Sequence, residues 1–158
     1  MKFDTIIIGG GLSGLVCGIR LQQQGQRCVI ISSGQSALHF SSGSFDLLNR
    51  LSEGKEIHNP VSGIKELIET APLHPYTKLG EQKFTEYAKQ AESFFEEIGI
   101  AMQGTAHENH YRITPMGTLK PTWLTASEFA ISKNQKSLPW RQISVFTPIG
   151  FLDFYPQF

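Results

Sequence analysis

The sequence predicts an α/β fold built around a parallel β-α-β unit at its N-terminus, and three observations predict it. A short apolar run, Thr5-Ile6-Ile7-Ile8, ends in Gly9-Gly10-Gly11-Leu12-Ser13-Gly14. An apolar helical pattern follows at once. Then Arg27-Cys28-Val29-Ile30-Ile31 shows the unbroken hydrophobicity of a buried parallel strand. Strand, glycine turn, helix and strand in that order are what a Rossmann-like, FAD/NAD(P)-binding βαβ core requires.

Within Gly9-x-Gly11-x-x-Gly14 each glycine has its own task. Gly9 lets the chain turn sharply off the strand, Gly11 has no Cβ to keep a phosphate from the backbone, and Gly14 lets the helix lie close on the strand. Gly10, Leu12 and Ser13 complete the loop and the first helical turn, whose N–H groups and positive dipole end face the phosphate. Gly18 extends the flat face, with Leu15, Ile19 and Leu21 expected on the sheet side, and Gly25 stands just past the helix end. The competing reading is a glycine-rich turn without a ligand, which the flanking strand and helix disfavour.

Ser32 to Ser36 form a loop, and residues 37–48 mix hydroxyls, glycine and apolar side chains. Ser41, Ser42 and Gly43 are a second candidate contact, since a small hydroxyl-rich loop presents backbone N–H groups to phosphate or ring edges. A plain Ser/Gly loop explains them equally well. Residues 52–60 read as an exposed connection ending at Pro60, followed by a helix over Val61–Thr70 with Ile64, Leu67 and Ile68 in step. Leu73-His74-Pro75-Tyr76 is a turn. An amphipathic helix is expected over about residues 79–98, with Phe84, Tyr87, Ala88, Ala91, Phe94, Phe95 and Ile98 on one face and Gly99 as its stop. Ile100 to Gln103 is a short strand.

Residues 106–132 predict a β-meander of Tyr111–Thr114, Thr118–Lys120 and Thr122–Leu124, broken by Pro115, Gly117 and Pro121. Gln142 to Thr147 resembles another strand. The expected organisation is a single flavin-binding domain over 1–158. Residues 1–35 and about 140–158 form its nucleotide-binding core, and about 60–135 are inserted as a helical and β-meander region. The closing Phe151-Leu152-Asp153-Phe154-Tyr155-Pro156-Gln157-Phe158 is apolar, without a helix stop or polar tail, and reads as an incomplete chain.

The 158 residues carry 14 basic and 14 acidic side chains, so no strong field exists to attract nucleic acid. Cys17 and Cys28 fit no metal spacing and lie in apolar stretches, which predicts buried, reduced thiols in the cytoplasm. No apolar run reaches the roughly 18 residues of a membrane span, so membrane association would come through a partner. His39 is expected to pack beside Phe40. His58, His74, His107 and His110 sit in polar surroundings, are not spaced as metal ligands and carry no readable role.

Three segments occur together in order: the glycine motif, Gln35-Ser36-Ala37-Leu38-His39-Phe40-Ser41-Ser42-Gly43-Ser44, and Thr114-Pro115-Met116-Gly117-Thr118-Leu119-Lys120-x-Thr122-Trp123-Leu124. The combination resembles the B subunit of bacterial anaerobic glycerol-3-phosphate dehydrogenase along essentially the whole chain. The first segment is common to many flavoproteins, whereas the other two are particular. The resemblance implies oxidation of sn-glycerol 3-phosphate to dihydroxyacetone phosphate in glycerol metabolism and anaerobic respiration. Electrons pass to quinone and then to fumarate or nitrate. It also implies catalytic A and iron–sulfur C subunits as partners, the latter tying the complex to the cytoplasmic face of the inner membrane. A flavin, usually FMN, and a chain much longer than this one are implied as well.

One departure bears on the cofactor. Dinucleotide sites place Asp or Glu at the end of the second strand, where it accepts hydrogen bonds from the adenosine ribose. This sequence has Ser32 there, followed by Ser33, which weakens NAD most, FAD somewhat and FMN least. A glycine loop is ordinarily shaped for a pyrophosphate, which favours FAD, so FMN is expected with FAD as the close alternative. Flavoproteins of this architecture commonly close the site with a late Gly-Asp segment, and the chain contains no such dipeptide. No residue identifies itself as the catalytic base. Arg112 and Lys120 could take a phosphate dianion, although solvation is their ordinary state. The alternative function is a non-catalytic scaffold or an electron-transfer subunit that bridges the catalytic and iron–sulfur subunits. A truncated product without activity is a third reading.

Overall fold

The structure, a computed structural model, describes residues 1–114, 116–133, 140–144 and 146. The chain divides into two compact units, Met1–Ser42 and Gly43–Phe158.

In the first unit, β1 (Thr5–Ile8) and β2 (Cys28–Ile31) pair in parallel, with Thr5 opposite Cys28 and Ile8 opposite Ile31. Parallel neighbours need a crossover of a dozen or more residues, and α1 (Leu12–Gln23) supplies it. Asp4 ties the two strand starts together: its Oδ2 accepts from the Arg27 backbone N at 2.9 Å and from Arg27 Nε at 3.4 Å. These bonds, the backbone one first, hold the Asp4 carboxyl below its ordinary pKa. At the other end of α1, Gly25 takes φ 82°, Gly25 N donates to Gln22 O and Gln26 N to Leu21 O. That Schellman closure satisfies the last carbonyls and turns the chain into β2. A 3-10 turn, Ala37–Phe40, follows β2.

The face of α1 toward the strands is centred on glycines. A Cβ at Gly14 would stand 2.1 Å from Gly9 O, and one at Gly18 would stand 3.3 Å from the δ carbons of Ile7 and Ile30. Gly18 is the one buried residue of the helix. Two expectations are corrected by this geometry. Leu15 lies off the face and is exposed, and the Cys17 thiol is exposed rather than buried, while Cys28 is half-buried.

The second unit contains β3 (Ser44–Phe45), α2 (Pro60–Thr70), α3 (Pro75–Glu97), β4 (Met102–Gln103), β5 (His110–Ile113), β6 (Leu119–Thr122) and β7 (Leu124–Ala126). Asn59 caps α2 by accepting Ser62 N at 3.0 Å, and Pro60 takes the first helical position, where its missing N–H costs nothing. α3 starts earlier than the sequence suggests, because His74 Nδ1 accepts Tyr76 N. Its course breaks at Gly80 (φ 78°, ψ 162°) before the long amphipathic segment. Residues 52–60 are not simply an exposed connection. A bridge between Arg50 and Glu56 folds the segment back, and Leu51, Ile57 and Pro60 are buried. Leu51 and Ile57 join Leu48, Ile64, Leu67 and Phe84 in one core cluster. Ala88, Phe95, Ala106, Trp123 and Leu124 make a second.

The expected meander is half right. β5 and β6 pair antiparallel, His110 opposite Thr122 and Ile113 opposite Leu119. After Trp123 the chain leaves this hairpin, and β7 lies between β3 and β4 in a separate antiparallel sheet. Trp123 N donates to Phe45 O at 3.0 Å and steers that departure. Pro121, expected to break a strand, sits inside β6 opposite Tyr111. Tyr111 spends its backbone N–H and C=O on Ser132 instead, at 2.7 and 2.8 Å, so the facing position needs no N–H and admits proline. Residues 142–144 and 146 form no strand, and Val145 and Thr147 lie outside the described residues. The second part of the expected nucleotide-binding core, from 147 to 158, also lies outside them. Among the described residues no helix is long and apolar enough to cross a membrane.

Glu92 joins α3 to the β-rich part of its unit. Its Oε1 accepts Ala106 N at 2.7 Å and Trp123 Nε1 at 3.1 Å. Replacement by Ala removes two charge-assisted bonds and is expected to cost about 2–4 kcal/mol in urea unfolding of the full chain, whereas Glu92→Gln keeps an acceptor oxygen and loses less than half of that. In the first unit Gly14→Ala forces a Cβ onto a carbonyl and is expected to cost about 3 kcal/mol or more. Gly18→Ala meets only mobile δ carbons and gains helix propensity, so it stays within about 1 kcal/mol of the parent. The same unfolding measurement ranks the pair.

Candidate functional site

The glycine loop leaves β1 with the strand ladder extended by one residue, since Gly9 N donates to Ile31 O at 2.8 Å. Gly9 then takes φ 108°, which L side chains rarely adopt, and the chain turns. Gly11 caps α1 with φ −79° and ψ 179°, and its carbonyl accepts Leu15 N at 3.0 Å. Having no side chain, Gly11 provides no side-chain cap, and the first helical turn holds no acidic residue. The leading N–H groups of α1, at Leu12, Ser13 and Gly14, therefore have neither a capping oxygen nor a local carboxylate competing for them. A Cβ built on Gly11 would meet nothing within 4 Å. That open space lies against the helix start, which is where an anion is best stabilised.

Ser32 stands against this loop. A Cβ at Gly10 would lie 3.2 Å from Ser32 Cβ and Oγ. The Ser32 hydroxyl donates to Gly34 O at 3.2 Å, so toward a ligand it can offer only acceptor capacity. Ser33 follows and is exposed. Gly9 to Gly14 and Ser32 are thus brought together, as the sequence order requires. Ser41 and Ser42 end the first unit after the 3-10 turn, where Ser41 N donates to Leu38 O. Gly43 begins the second unit with φ 69°, and a Cβ there would stand 2.5 Å from the Phe129 ring. Its carbonyl accepts Ala126 N. The glycine at 43 therefore has a local packing cause.

The basic candidates are engaged. Lys120 Nζ pairs with Asp46 Oδ2 at 2.5 Å, and the Arg112 guanidinium lies over the Phe129 ring at 4.6 Å from its centre. His39 meets Phe40 edge to face at 5.0 Å, matching the packing expected of it. His58 sits in polar surroundings as expected but makes a defined contact, whereas the expectation of polar surroundings for His110 is corrected. His58 Nδ1 lies 3.0 Å from Tyr111 Oη, which donates to Glu56 Oε1 at 2.5 Å. Burial first, and Glu56 second, push the Tyr111 hydroxyl well above its ordinary pKa.

His110 is 4 % exposed, with Nε2 2.7 Å from Thr125 Oγ1, and Thr125 is fully buried. Burial first, and the nearby Arg112 charge second, hold its pKa below the ordinary 6.5, so the ring is neutral near pH 7. Sequence reasoning misses His110 because the β-prone run starts at Tyr111. The strand in fact begins one residue earlier, and alternation in His110-Tyr111-Arg112-Ile113 is the signal that places the ring on a defined face.

Residues 4–157 match the FAD binding domain family. Curated relatives named as the B subunit of anaerobic glycerol-3-phosphate dehydrogenase include one from Yersinia enterocolitica serotype O:8 / biotype 1B, 51% identical over 158 residues. That alignment covers 99% of this chain and 37% of the relative. One from Yersinia pestis is 48% identical with the same coverage, and one from Pasteurella multocida (strain Pm70) is 45% identical over 157 residues, again covering 99% and 37%. The chain thus spans 37% of the length of these relatives. No solved structure matches it.

The buried neutral His110 gives stability a pH dependence with a definite sign. The folded state binds fewer protons at this site than the unfolded state does. The contribution is therefore fully present above the ordinary value of 6.5 and is lost as pH falls below it toward the depressed folded value. Thermal unfolding scanned from about pH 7.5 to about pH 5 is expected to show a falling midpoint. His110→Gln, which retains an N–H for Thr125, is expected to flatten that decline.

Proposed function

The chain belongs to the FAD binding domain family, and on that premise we propose that it carries the phosphate-binding end of a flavin site in a Rossmann-like core. We place that core in a flavoprotein subunit of a quinone-linked anaerobic glycerol-3-phosphate dehydrogenase. The observation that carries the cofactor reading is the loop from Gly9 to Gly14, where uncapped helical N–H groups face a space that a Cβ at Gly11 would enter. The substrate reading is supported by the relatives' shared name and identities of 45–51%.

In this reading Gly11, Leu12, Ser13 and Gly14 hold a flavin phosphate through backbone N–H groups, with Gly9 and Gly10 shaping the turn. Ser32 and Ser33 accept hydrogen bonds from sugar hydroxyls, and Ser41 and Ser42 supply further contacts. FMN is preferred because Ser32 lacks the charge of the carboxylate that usually meets an adenosine ribose, and FAD is the close alternative. Bound flavin supplies a two-electron acceptor for the secondary alcohol of sn-glycerol 3-phosphate, which becomes dihydroxyacetone phosphate with loss of two protons and two electrons. Electrons then pass to quinone, with fumarate or nitrate as the terminal acceptor. The complex has, in addition, catalytic A and iron–sulfur C subunits, through which this flavoprotein is peripheral to the cytoplasmic face of the inner membrane. No catalytic base is assigned to this chain.

The full-length protein, purified and denatured, is expected to release one flavin that chromatography identifies as FMN or FAD. A colourless protein that takes up neither on reconstitution overturns the reading. Gly11→Ala makes the sharper test, since its methyl group fits the protein but stands in the phosphate's path. It is expected to weaken flavin binding about tenfold or more, which is about 1.4 kcal/mol, while apo-protein stability falls by about 1 kcal/mol or less, the cost of alanine at an N-cap.

A further inference from the structure

We propose that a pocket in the second unit, lined by the exposed Gly104 and the buried His110 among other residues, binds a small polyol phosphate. Gln103, Gly104, Thr105, Glu108, His110 and Lys133 line a cavity of about 360 Å³. Ligand pockets run from roughly 300 to 1,000 Å³, so this one suits a small molecule with a few ordered waters.

Two features meet at His110. The first is an orphan: His110 Nδ1 is buried and has no hydrogen-bond partner among the described residues. Leaving such an atom unpaired costs about 1–3 kcal/mol, and native structures rarely do so without a ligand or a water to fill the role. The ring cannot turn to relieve it, because Nε2 is held by Thr125 Oγ1. The second is a missing side chain. Gly104 takes φ 122°, and a Cβ there would come 3.1 Å from His110 Nδ1, 2.9 Å from its Cε1 and 2.0 Å from Trp123 O. Glycine at 104 thus lets the backbone pass close to Trp123 O and to the edge of the imidazole that has no partner, and Gly104 is itself exposed to solvent.

The donor set selects the ligand. Among the described residues that line the pocket Lys133 is the cation, and it suits a phosphate. The neutral His110 nitrogen suits a hydroxyl, with which it can act as donor or acceptor according to its tautomer. Glu108 accepts a further hydroxyl and opposes a second anionic group. One phosphate and vicinal hydroxyls on a short carbon chain satisfy all three. The choice of sn-glycerol 3-phosphate as probe rests on the function proposed above, whereas the site rests on His110 and Gly104.

Calorimetric titration of the full-length protein with sn-glycerol 3-phosphate, glycerol and inorganic phosphate tests it, together with NMR of histidine rings labelled with carbon-13. The expected result is binding of the phosphate ester at least tenfold tighter than glycerol or phosphate, a shift of the His110 ring signal on saturation, and a loss of about tenfold or more in Lys133→Gln. The His110 signal is identified by its disappearance in His110→Gln, with circular dichroism confirming the fold. Lys133 is exposed, so its variant tests binding without threatening the core. No binding at millimolar ester overturns the proposal, as do binding that Lys133→Gln leaves unchanged, an unmoved His110 signal, and phosphate binding as tightly as the ester, which marks an adventitious ion only. A flavin-loaded protein with any of these failures loses this site and keeps the cofactor reading. A response at His110 in a protein that takes up no flavin supports the site and removes the cofactor reading.

Discussion

No side-chain atom fits between α1 and the end of β1 at Gly14, and the first unit depends on that constraint. With the Gly14 hydrogen in place of a Cβ, the helix lies directly against the Gly9 carbonyl. The close approach brings the helix start up to the strand end, so the turn between them must be made in very few residues. Gly9 makes it with a backbone angle that other residues adopt only under strain. Gly11 then starts the helix in extended conformation without a side chain to cap it. The same short turn that permits tight packing therefore leaves helical N–H groups without a capping side chain, so packing and the proposed phosphate site share one arrangement.

The second unit is held by a different device. Its described strands are two to four residues long, and they are fastened by buried and half-buried polar side chains reaching from loops and helices. Glu92 ties α3 to Ala106 and to the Trp123 indole. Asn109 Nδ2 donates to the carbonyls of Leu48 and Ile57, closing the segment between them onto β5. Tyr111 reaches Glu56 and His58, and His110 reaches Thr125 across to the other sheet. The bonds of Asn109 and His110 form where water is excluded, so each of them is costly to leave half made, and the part-buried bonds of Glu92 and Tyr111 add to the same frame. His110 is the member of this frame with a nitrogen to spare, and it lies at a cavity.

The functional reading has two separate supports. Loop geometry argues for a nucleotide phosphate and says nothing about which alcohol is oxidised. The relatives' names carry the substrate, and they describe proteins of which this chain spans 37%. Ser32 bears on the cofactor between these two, because a hydroxyl already donating to Gly34 O can meet a ribose only as a neutral acceptor.

Local sequence determined what depends on local chemistry. The glycine spacing sets the β1–α1–β2 order, Gly25 and Gly99 end their helices through backbone angles only glycine takes easily, and the apolar spacing of residues 84–95 marks the buried stripe of α3. The candidate phosphate loop was legible for the same reason, since its task is carried by backbone and by absent side chains. Tertiary structure decided which strands pair with which, because β-prone runs do not carry their partners' addresses. β7 left the expected meander for a sheet with β3 and β4, and Pro121 could stay within β6 once Ser132 had taken the Tyr111 backbone. It also decided which polar side chains are buried. His110 resembles four other histidines in sequence, and its burial beside Thr125, 15 residues away in chain order, is settled only in the fold.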